Sequence, residues 1–177
     1  TVIVPIPASA GVEEADGEYE IYPTPQNFVY GSGTTDLTDE VNVTCGDAID
    51  DYTKTRIEDT LAVLGLQQAE SDAEGNTKLT VGVYGSDDEA DTYGKSHNVD
   101  ASIYENFDSY TLWIDNGEIV ILGKNTDAAY YGVTSLKRIF EQLEENTVKN
   151  LTLKDYAEIE FRGFIEGYYG NPWSKAD

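Results

Sequence analysis

The chain has 177 residues and a formal net charge of −23, with 34 acidic side chains against 11 lysines and arginines. A surface of this sign repels the phosphates of nucleic acids and of anionic lipids, so we expect neither as a partner. Aromatic residues make up 11% of the chain, which is too many for an acidic disordered protein. The single cysteine excludes a disulfide framework, and no apolar stretch is long enough to span a membrane. We predict no cofactor.

The first third of the chain predicts two strands and a helix. Residues 1–17 contain prolines and acidic side chains, and we interpret them as an extended leader. Residues 28–30 predict a short strand, and the alternation of apolar and polar residues at 41–44 predicts another. A helix begins after Asp50 and Asp51, and spacings of four and three place its apolar residues on one face: Ile57, Leu61 and Leu64.

The middle of the chain contains a strong hairpin signal. Residues 79–84 predict a strand, whereas the polar segment 86–100 has no clear period and predicts a surface loop with room for one helical turn. Residues 110–115 and 118–123 are strand-like and flank an Asn-Gly pair at 116–117. Both central residues of a type I′ turn need a positive φ, so this pair predicts a β-hairpin.

A long helix and another strand follow. Asn125, Thr126 or Asp127 can cap the helix. It reaches about Leu143, with one continuous apolar stripe: Ala129, Gly132, Val133, Leu136, Phe140 and Leu143. Residues 151–153 predict the next strand. This order of elements predicts an α+β fold, with a largely antiparallel sheet and two main helices on one face.

The last residues do not fit that domain. Residues 161–174 are too apolar and aromatic for a disordered tail. They predict a buried strand at 164–168 and a Gly-Asn-Pro turn at 170–172. A strand with nothing after it cannot close a sheet, so we expect the chain to end inside a further domain.

Residues 162–173 carry a family resemblance. They read Arg-Gly-Phe-Ile-Glu-Gly-Tyr-Tyr-Gly-Asn-Pro-Trp. This string resembles the first barrel strand of family 84 glycoside hydrolases, bacterial β-N-acetylglucosaminidases of the O-GlcNAcase and hyaluronidase kind. Tyr168 stands where that family usually has Phe. Residues 119–123, the helix around 131–136 and residues 151–162 resemble the domain that precedes the barrel, which is similar in outline to domain 2 of family 20 hexosaminidases.

The resemblance implies a division of the chain into three parts. Residues 1–17 are the leader, 18–158 a non-catalytic α/β N-terminal domain that resembles zincins without their metal centre, and 159–177 a stub of a (β/α)₈ barrel. A full barrel takes about 250 residues, so this chain is expected to be inactive alone. Its implied partners are its own catalytic barrel and, through the parent protein, glycans that contain N-acetylglucosamine. The implied location is secreted or on the surface of a bacterium.

The resemblance also implies which residues matter. In the family, the 2-acetamido oxygen of the substrate is the nucleophile, and two adjacent aspartates on a later barrel loop assist it. Gly167 matches a glycine whose carbonyl contacts sugar hydroxyls, and Tyr169 matches a tyrosine of the same pocket. The pairs Asp50-Asp51 and Asp87-Asp88 precede the barrel strand, so we interpret them as helix caps and loop residues rather than as the catalytic pair. No catalytic residue and no metal ligand is assigned in this chain.

Other interpretations are weaker. Residues 89–100 loosely resemble a calcium loop, but Tyr93 and Asp100 stand at positions where the motif needs other ligands. His97 and Cys45 have no partner nearby in the sequence for metal binding or catalysis. Exposed aromatic rings stack on sugars, which suggests an alternative function as a carbohydrate-binding or adhesion module with no hydrolase role, through four tyrosines: Tyr19, Tyr22, Tyr30 and Tyr52. Asn42 and Asn150 begin formal glycosylation sequons, which matter only in a eukaryotic secretory pathway.

Overall fold

A computed structural model describes residues 19–160 of the chain. These residues form seven strands and three α-helices, and a 3₁₀ turn at Ala101–Glu105. In chain order the elements are β1 (Asn27–Asp36), β2 (Glu40–Cys45), α1 (Asp51–Ala62), β3 (Gln67–Gln68), β4 (Thr77–Val83), α2 (Glu89–Ser96), β5 (Phe107–Asp115), β6 (Glu118–Gly123), α3 (Thr126–Phe140) and β7 (Thr147–Ala157). None of the helices in this part of the chain is long and apolar enough to cross a membrane.

Within the described residues, one sheet contains all seven strands in the order β1-β7-β5-β6-β4-β2-β3. From β1 to β6 the neighbours are antiparallel, whereas β6, β4, β2 and β3 run parallel to one another. The sheet is therefore mixed. The prediction of a largely antiparallel sheet is wrong for the four strands β6, β4, β2 and β3. The cause is the crossover through α1, because a helix between two neighbouring strands returns the chain in the parallel direction.

The predicted hairpin and the two main helices are confirmed. Asn116 and Gly117 have φ of 47° and 83°, as a type I′ turn requires, and Trp113 pairs with Val120 across the hairpin. The side chain of Asn125 caps α3 by accepting a hydrogen bond from the Ala128 N–H at 2.9 Å. Both α1 and α3 cover the same face of the sheet, where they enclose the main core: Ile57, Leu61, Leu79, Leu112, Ile121, Val133, Leu136, Ile139 and Leu153 among others.

The opposite face carries a helix that was predicted as a surface loop. α2 runs for eight residues and packs over a smaller cluster that contains Trp113, Val120 and Leu122. Its buried positions are Ala90, Asp91 and Gly94. Because an acidic residue and a glycine occupy two of the three core-facing positions, the apolar period that identifies a surface helix is missing from the sequence.

Strand β1 is longer than the predicted segment at 28–30. Its pairing with β7 is interrupted between Tyr30 and Thr34, where Gly33 has a φ of +82°. The Asn150 amide of β7 lies against this irregularity and donates to the Ser32 carbonyl at 3.0 Å, while its oxygen accepts from the Thr35 hydroxyl at 2.8 Å. This sequon asparagine is thus a buried connection between two strands. The predicted barrel strand at 164–168 lies outside the described residues and stays a prediction.

Candidate functional site

One candidate site, which we call the carboxylate cluster, combines three carboxylates at the start of α2 with a lysine in its last turn: Asp87, Asp88, Asp91 and Lys95. Asp88 caps the helix, since its Oδ1 accepts from the Asp91 N–H at 2.9 Å. Its Oδ2 accepts from the Val83 N–H at the end of β4 at 3.0 Å. The predicted role of Asp88 as a helix cap is confirmed, and its carboxylate also connects α2 to the sheet.

Two glycines make room for the Asp88 carboxylate. A Cβ atom added at Gly46, after β2, would lie 2.2 Å from Asp88 Oδ2, and one added at Gly82, in β4, would lie 2.3 Å from it. Real carbon and oxygen atoms do not approach so closely, so both positions must lack a side chain in this arrangement. The half-buried carboxylate fills the space between the ends of two neighbouring strands.

Asp91 is the buried member of the carboxylate cluster. Its Oδ2 accepts from the Asp87 N–H at 3.0 Å and pairs with Lys95 Nζ at 2.9 Å. Burial opposes ionisation of Asp91, but the Gly85 N–H, the Lys95 ammonium and the Asp87 N–H outweigh it and hold the pKa of Asp91 below its ordinary value. The hydrogen bonds that Lys95 donates to Asp87 and Asp91 in turn raise the pKa of Lys95. The carboxylate cluster is a charged network that is bonded to Lys95 and to the backbone around it.

The other aspartate pair behaves in the same way. Asp50 caps α1 by accepting from the Thr53 N–H at 2.8 Å, and this bond holds the pKa of Asp50 below its ordinary value. Asp51 is fully exposed and lies 3.4 Å from Lys54 Nζ. The expectation that both aspartate pairs serve as caps and surface residues is confirmed.

The segment considered as a calcium loop is a helix followed by a turn. Glu89 and Asp91 belong to α2, and Asp100 caps the 3₁₀ turn by accepting from the Ser102 N–H at 3.1 Å. His97 ends α2 with its ring stacked on Tyr93 at 3.8 Å between centroids. Across residues 19–160, no group of three or more His, Cys, Asp or Glu side chains is arranged to hold a metal ion.

A polar cavity of about 440 Å³ lies beside β2 and β4. The Asn42 amide occupies one wall and bonds the loop before β4: its nitrogen donates to the Ala73 carbonyl at 2.9 Å, and its oxygen accepts from the Ala73 N–H at 3.2 Å. The second sequon asparagine is therefore also committed to the fold, which removes both formal glycosylation sites from the set of candidates.

A larger cavity of about 500 Å³ opens at the carboxyl end of β7. We call it the β7 cleft. Three parts of the chain form its walls, namely residues 21–26, one side of α3, and residues 155–159. Its floor contains the Tyr110 hydroxyl, which lies 2.6 Å from Ser135 Oγ and donates to Asp155 Oδ2 at 3.4 Å. Burial raises the pKa of Tyr110, so its hydroxyl stays protonated at neutral pH.

The rim of the β7 cleft carries exposed apolar and aromatic side chains beside exposed polar ones such as Arg138 and Glu158. Among the described residues, six large apolar or aromatic side chains are exposed, and three of them line this cleft: Tyr22 (76% exposed), Tyr131 (42%) and Ile159 (65%). A cleft that exposes apolar and aromatic side chains among polar ones, above a hydrogen-bonded floor, is typical of a surface that binds a partner or a ligand. The β7 cleft is therefore the candidate functional site in this part of the chain.

The four tyrosines of the alternative function do not form one surface. Tyr19 and Tyr30 contact each other with ring centroids 6.1 Å apart. Tyr52 instead stacks on Tyr130 of α3 at 4.9 Å, and Tyr22 lines the β7 cleft. Sequence reasoning missed Tyr131, whose position off the apolar stripe of α3 is the only signal that it faces outward. The predicted substrate contacts Gly167 and Tyr169 lie outside the described residues and stay predictions.

Comparison with known proteins places this fold in a family. Residues 18–156 match the model of glycosyl hydrolase family 20, domain 2. The structure of CpGH84D is 43% identical over 89% of this chain, with a TM-score of 0.85, and that of CpGH84B is 27% identical over 90%, with a TM-score of 0.72. A chitobiase from Flavobacterium johnsoniae shares the fold at 16% identity over 82% of this chain, with a TM-score of 0.57.

These matches involve only part of each relative. The chain spans 27% of CpGH84D, 26% of CpGH84B and 22% of the chitobiase. The resemblance inferred from the sequence is nevertheless confirmed in its main statement, because both the family 20 domain model and the family 84 structures match. The chain belongs to the family of glycosyl hydrolase family 20 domain 2, in the form found in family 84 glycoside hydrolases.

Proposed function

We propose that this chain is the non-catalytic N-terminal domain of a secreted bacterial glycoside hydrolase that removes β-linked N-acetylglucosamine from glycoconjugates by substrate-assisted retaining hydrolysis. The observation that carries the proposal is the match to CpGH84D, which covers 89% of this chain but only 27% of that relative. On this proposal the remaining length of the parent protein contains the catalytic barrel, whose first strand begins near residue 159.

The described residues support a non-catalytic role. Retaining hydrolysis that uses the substrate's acetamido group still needs a group that donates and accepts a proton at the glycosidic oxygen. One aspartate of each adjacent pair is committed to the fold, because Asp50 and Asp88 accept backbone hydrogen bonds at helix starts. Gly167 and Tyr169 are then the residues that this chain contributes to the sugar pocket, at the carboxyl end of the first barrel strand.

The test compares this chain with the longer product of the same gene, using a chromogenic β-N-acetylglucosaminide. We expect turnover by the longer protein and none above background by residues 1–177. Turnover by the 177-residue chain would overturn the non-catalytic role. An inactive longer protein that still folds would overturn the hydrolase assignment.

One observation favours the second candidate, a carbohydrate-binding module. Tyr52 is 69% exposed and stacks on Tyr130, and the Arg56 guanidinium lies 4.8 Å from the centre of the Tyr130 ring. Sugar faces pack on such exposed rings, although this group is separate from the other three tyrosines of the alternative. Calorimetric titration of the chain with N-acetylglucosamine oligomers distinguishes the candidates. Binding at millimolar concentrations or below that is lost in Tyr52→Ala would support the module.

A further inference from the structure

We propose that the polar cavity beside β2 and β4 binds a small polyhydroxylated ligand that carries an ammonium group, the chemical class of the amino sugars. The cavity lies on the face of the sheet that carries α2. Leu79 and Val81 of β4 point into the main core on the other face, and Thr80 between them lines the cavity. The cavity volume of about 440 Å³ is within the range of about 300–1,000 Å³ that small-molecule sites have.

The floor of the cavity contains a buried hydroxyl that the fold itself does not satisfy. Thr80 lines the cavity and is 6% exposed, and among residues 19–160 no group hydrogen-bonds its side-chain oxygen. A buried hydroxyl costs free energy unless a polar partner reaches it. The partner of Thr80 therefore has to come from the cavity, which makes this hydroxyl a contact for a polar ligand.

A second hydroxyl lies beside the first. Thr44 of β2 pairs in register with Thr80 and also lines the cavity, and its side chain likewise has no hydrogen-bond partner in the described part of the chain. Neighbouring strands lie about 4.8 Å apart, so the two hydroxyls can each bond one of two adjacent ligand hydroxyls. Tyr93 lines a recess that shares Lys78 and Thr80 with the cavity, and its aromatic ring offers apolar surface to the carbon face of a sugar.

The charge of the cavity selects a cation. Three exposed carboxylates line it: Asp72, Glu74 and Glu89. Within the described residues none of the three forms an ion pair, whereas Lys78, the cationic residue of the lining, lies 3.5 Å from Glu118. The net charge of −23 adds to the negative potential of this surface. An ammonium group is therefore attracted to the cavity, and an anionic sugar is repelled.

This inference goes beyond the proposed function. It depends on residues of the domain itself and not on hydrolysis by the parent protein, so it holds or fails in the 177-residue chain in either case. It also differs from the carbohydrate-binding candidate, because Tyr52 belongs to α1, which covers the other face of the sheet.

Calorimetric titration of the 177-residue chain with glucosamine tests the proposal, at low ionic strength and about pH 6, where such an amine is protonated. The chain is titrated as parent, as Thr80→Val, and as Thr152→Val. Thr152 is a matched control, because it pairs with Trp113 on the same face of the sheet and lies outside the cavity lining. We expect millimolar binding by the parent and binding weaker by about tenfold or more in Thr80→Val, which loses a shielded hydrogen bond. Thr152→Val should bind like the parent.

A second pair of variants tests the charge. Glu89→Gln removes one carboxylate of the lining, and Glu144→Gln makes the same change at an exposed glutamate outside it. We expect about threefold weaker glucosamine binding in Glu89→Gln, since exposed charges interact weakly, and no change in Glu144→Gln. Glucose lacks the ammonium group and putrescine, a diamine, lacks the hydroxyls. Each should bind the parent at least about tenfold more weakly than glucosamine.

Circular dichroism shows whether each variant is folded, and Thr44→Val replaces Thr80→Val if the latter is not. Absence of binding by the parent, or equal binding by the parent and the folded hydroxyl variant, would overturn the proposal. Unchanged binding in Glu89→Gln would do the same. Putrescine that binds as tightly as glucosamine would show that charge alone attracts the ligand, and loss of binding in Tyr52→Ala would assign it to the surface of α1. Either result would also overturn the proposal.

Discussion

The carboxylate cluster and the β7 cleft lie in different parts of this domain and are built in opposite ways. In the carboxylate cluster, Asp88 accepts two backbone hydrogen bonds and Asp91 is buried against Lys95. In the β7 cleft, Tyr110 and Ser135 contact each other on the floor, while Tyr22 and Ile159 remain exposed at the rim. The carboxylates of the carboxylate cluster are therefore hydrogen-bonded within the fold, whereas the β7 cleft exposes side chains beside the end of the described residues.

This difference separates groups that stabilise the fold from groups that are available to a partner. From the sequence alone, a pair of adjacent aspartates after a strand is a candidate for a catalytic site. In the structure, however, both adjacent pairs contribute one member to a helix cap. If the interpretation is right, substitutions in the carboxylate cluster should change folding stability, and substitutions at the cleft rim should leave it nearly unchanged.

The largest effect is expected from Asp88→Ala. The substitution removes a helix cap and leaves the half-buried Val83 N–H without its acceptor, which together should lower the free energy of unfolding by about 3 kcal/mol. Urea unfolding followed by circular dichroism measures the change. Asp51→Ala is the matched control from the other pair, because Asp51 is fully exposed, and it should change stability by no more than about 0.5 kcal/mol. An equal loss of unfolding free energy in the two variants would mean that the two hydrogen bonds accepted by Asp88 do not stabilise the fold.

Gly82→Ala should cost about 2 kcal/mol, because overpacking a filled space forces neighbouring atoms apart. The new Cβ would lie 2.3 Å from Asp88 Oδ2. A double-mutant cycle sharpens the test: on the Asp88→Ala background the same glycine substitution should cost clearly less, since the clashing carboxylate is gone. Additive losses would show that Gly82 has another reason to lack a side chain.

The acid sensitivity of the domain should depend on Asp91. Its pKa is lowered in the folded state, so its contribution is fully present above the unfolded value of about 3.9 and is lost as the pH falls through the lower folded value. Asp91→Asn should therefore flatten the fall in unfolding free energy between about pH 5 and pH 2. Glu141, whose pKa is lowered by Lys137 and Arg138 at the surface, should show a smaller effect in Glu141→Gln because exposed pairs are screened by solvent. An unchanged slope in Asp91→Asn would contradict the account.

The smallest effect is expected within the β7 cleft, where rim and floor should differ. Tyr131→Ser at the exposed rim should change stability by less than about 0.5 kcal/mol. Tyr110→Phe removes the hydroxyl that contacts Ser135 on the floor and should cost about 1 kcal/mol. Thermal unfolding of the two variants and of the parent measures both changes in stability. A rim substitution as costly as the floor substitution would show that Tyr131 belongs to the fold rather than to an open surface.

The elements that could be predicted are those determined by residues close together in the sequence. The hairpin follows from Asn116-Gly117, and α1 and α3 follow from a capping residue and a continuous apolar stripe. α2 was missed because Asp91 and Gly94 occupy positions that face the core, so no apolar period marks the helix. The direction of the strands from β6 to β3 was missed because it depends on pairing between distant segments.

The candidate site divides in the same way. The capping role of the aspartate pairs could be predicted, because Ser, Thr, Asp and Asn favour helix starts wherever they occur. The β7 cleft could not, because its walls come from residues 21–26, from α3 and from residues 155–159, which meet only in the folded chain. Tyr131 is identified as a rim residue by its exposure in the structure. Its position in the sequence does not show that residues 21–26 and 155–159 lie opposite it.

The central claim, that the aspartates of this domain stabilise it while the chemistry takes place elsewhere in the parent protein, is tested most directly by one turnover number. The measurement is kcat for a chromogenic β-N-acetylglucosaminide with the longer gene product, as parent and as the double variant Asp51→Asn/Asp87→Asn. These two side chains are the exposed members of their pairs, so the variant keeps both helix caps. We predict a kcat within about twofold of the parent, whereas a loss of about a hundredfold or more, the usual cost of removing a general acid or base, would contradict the account.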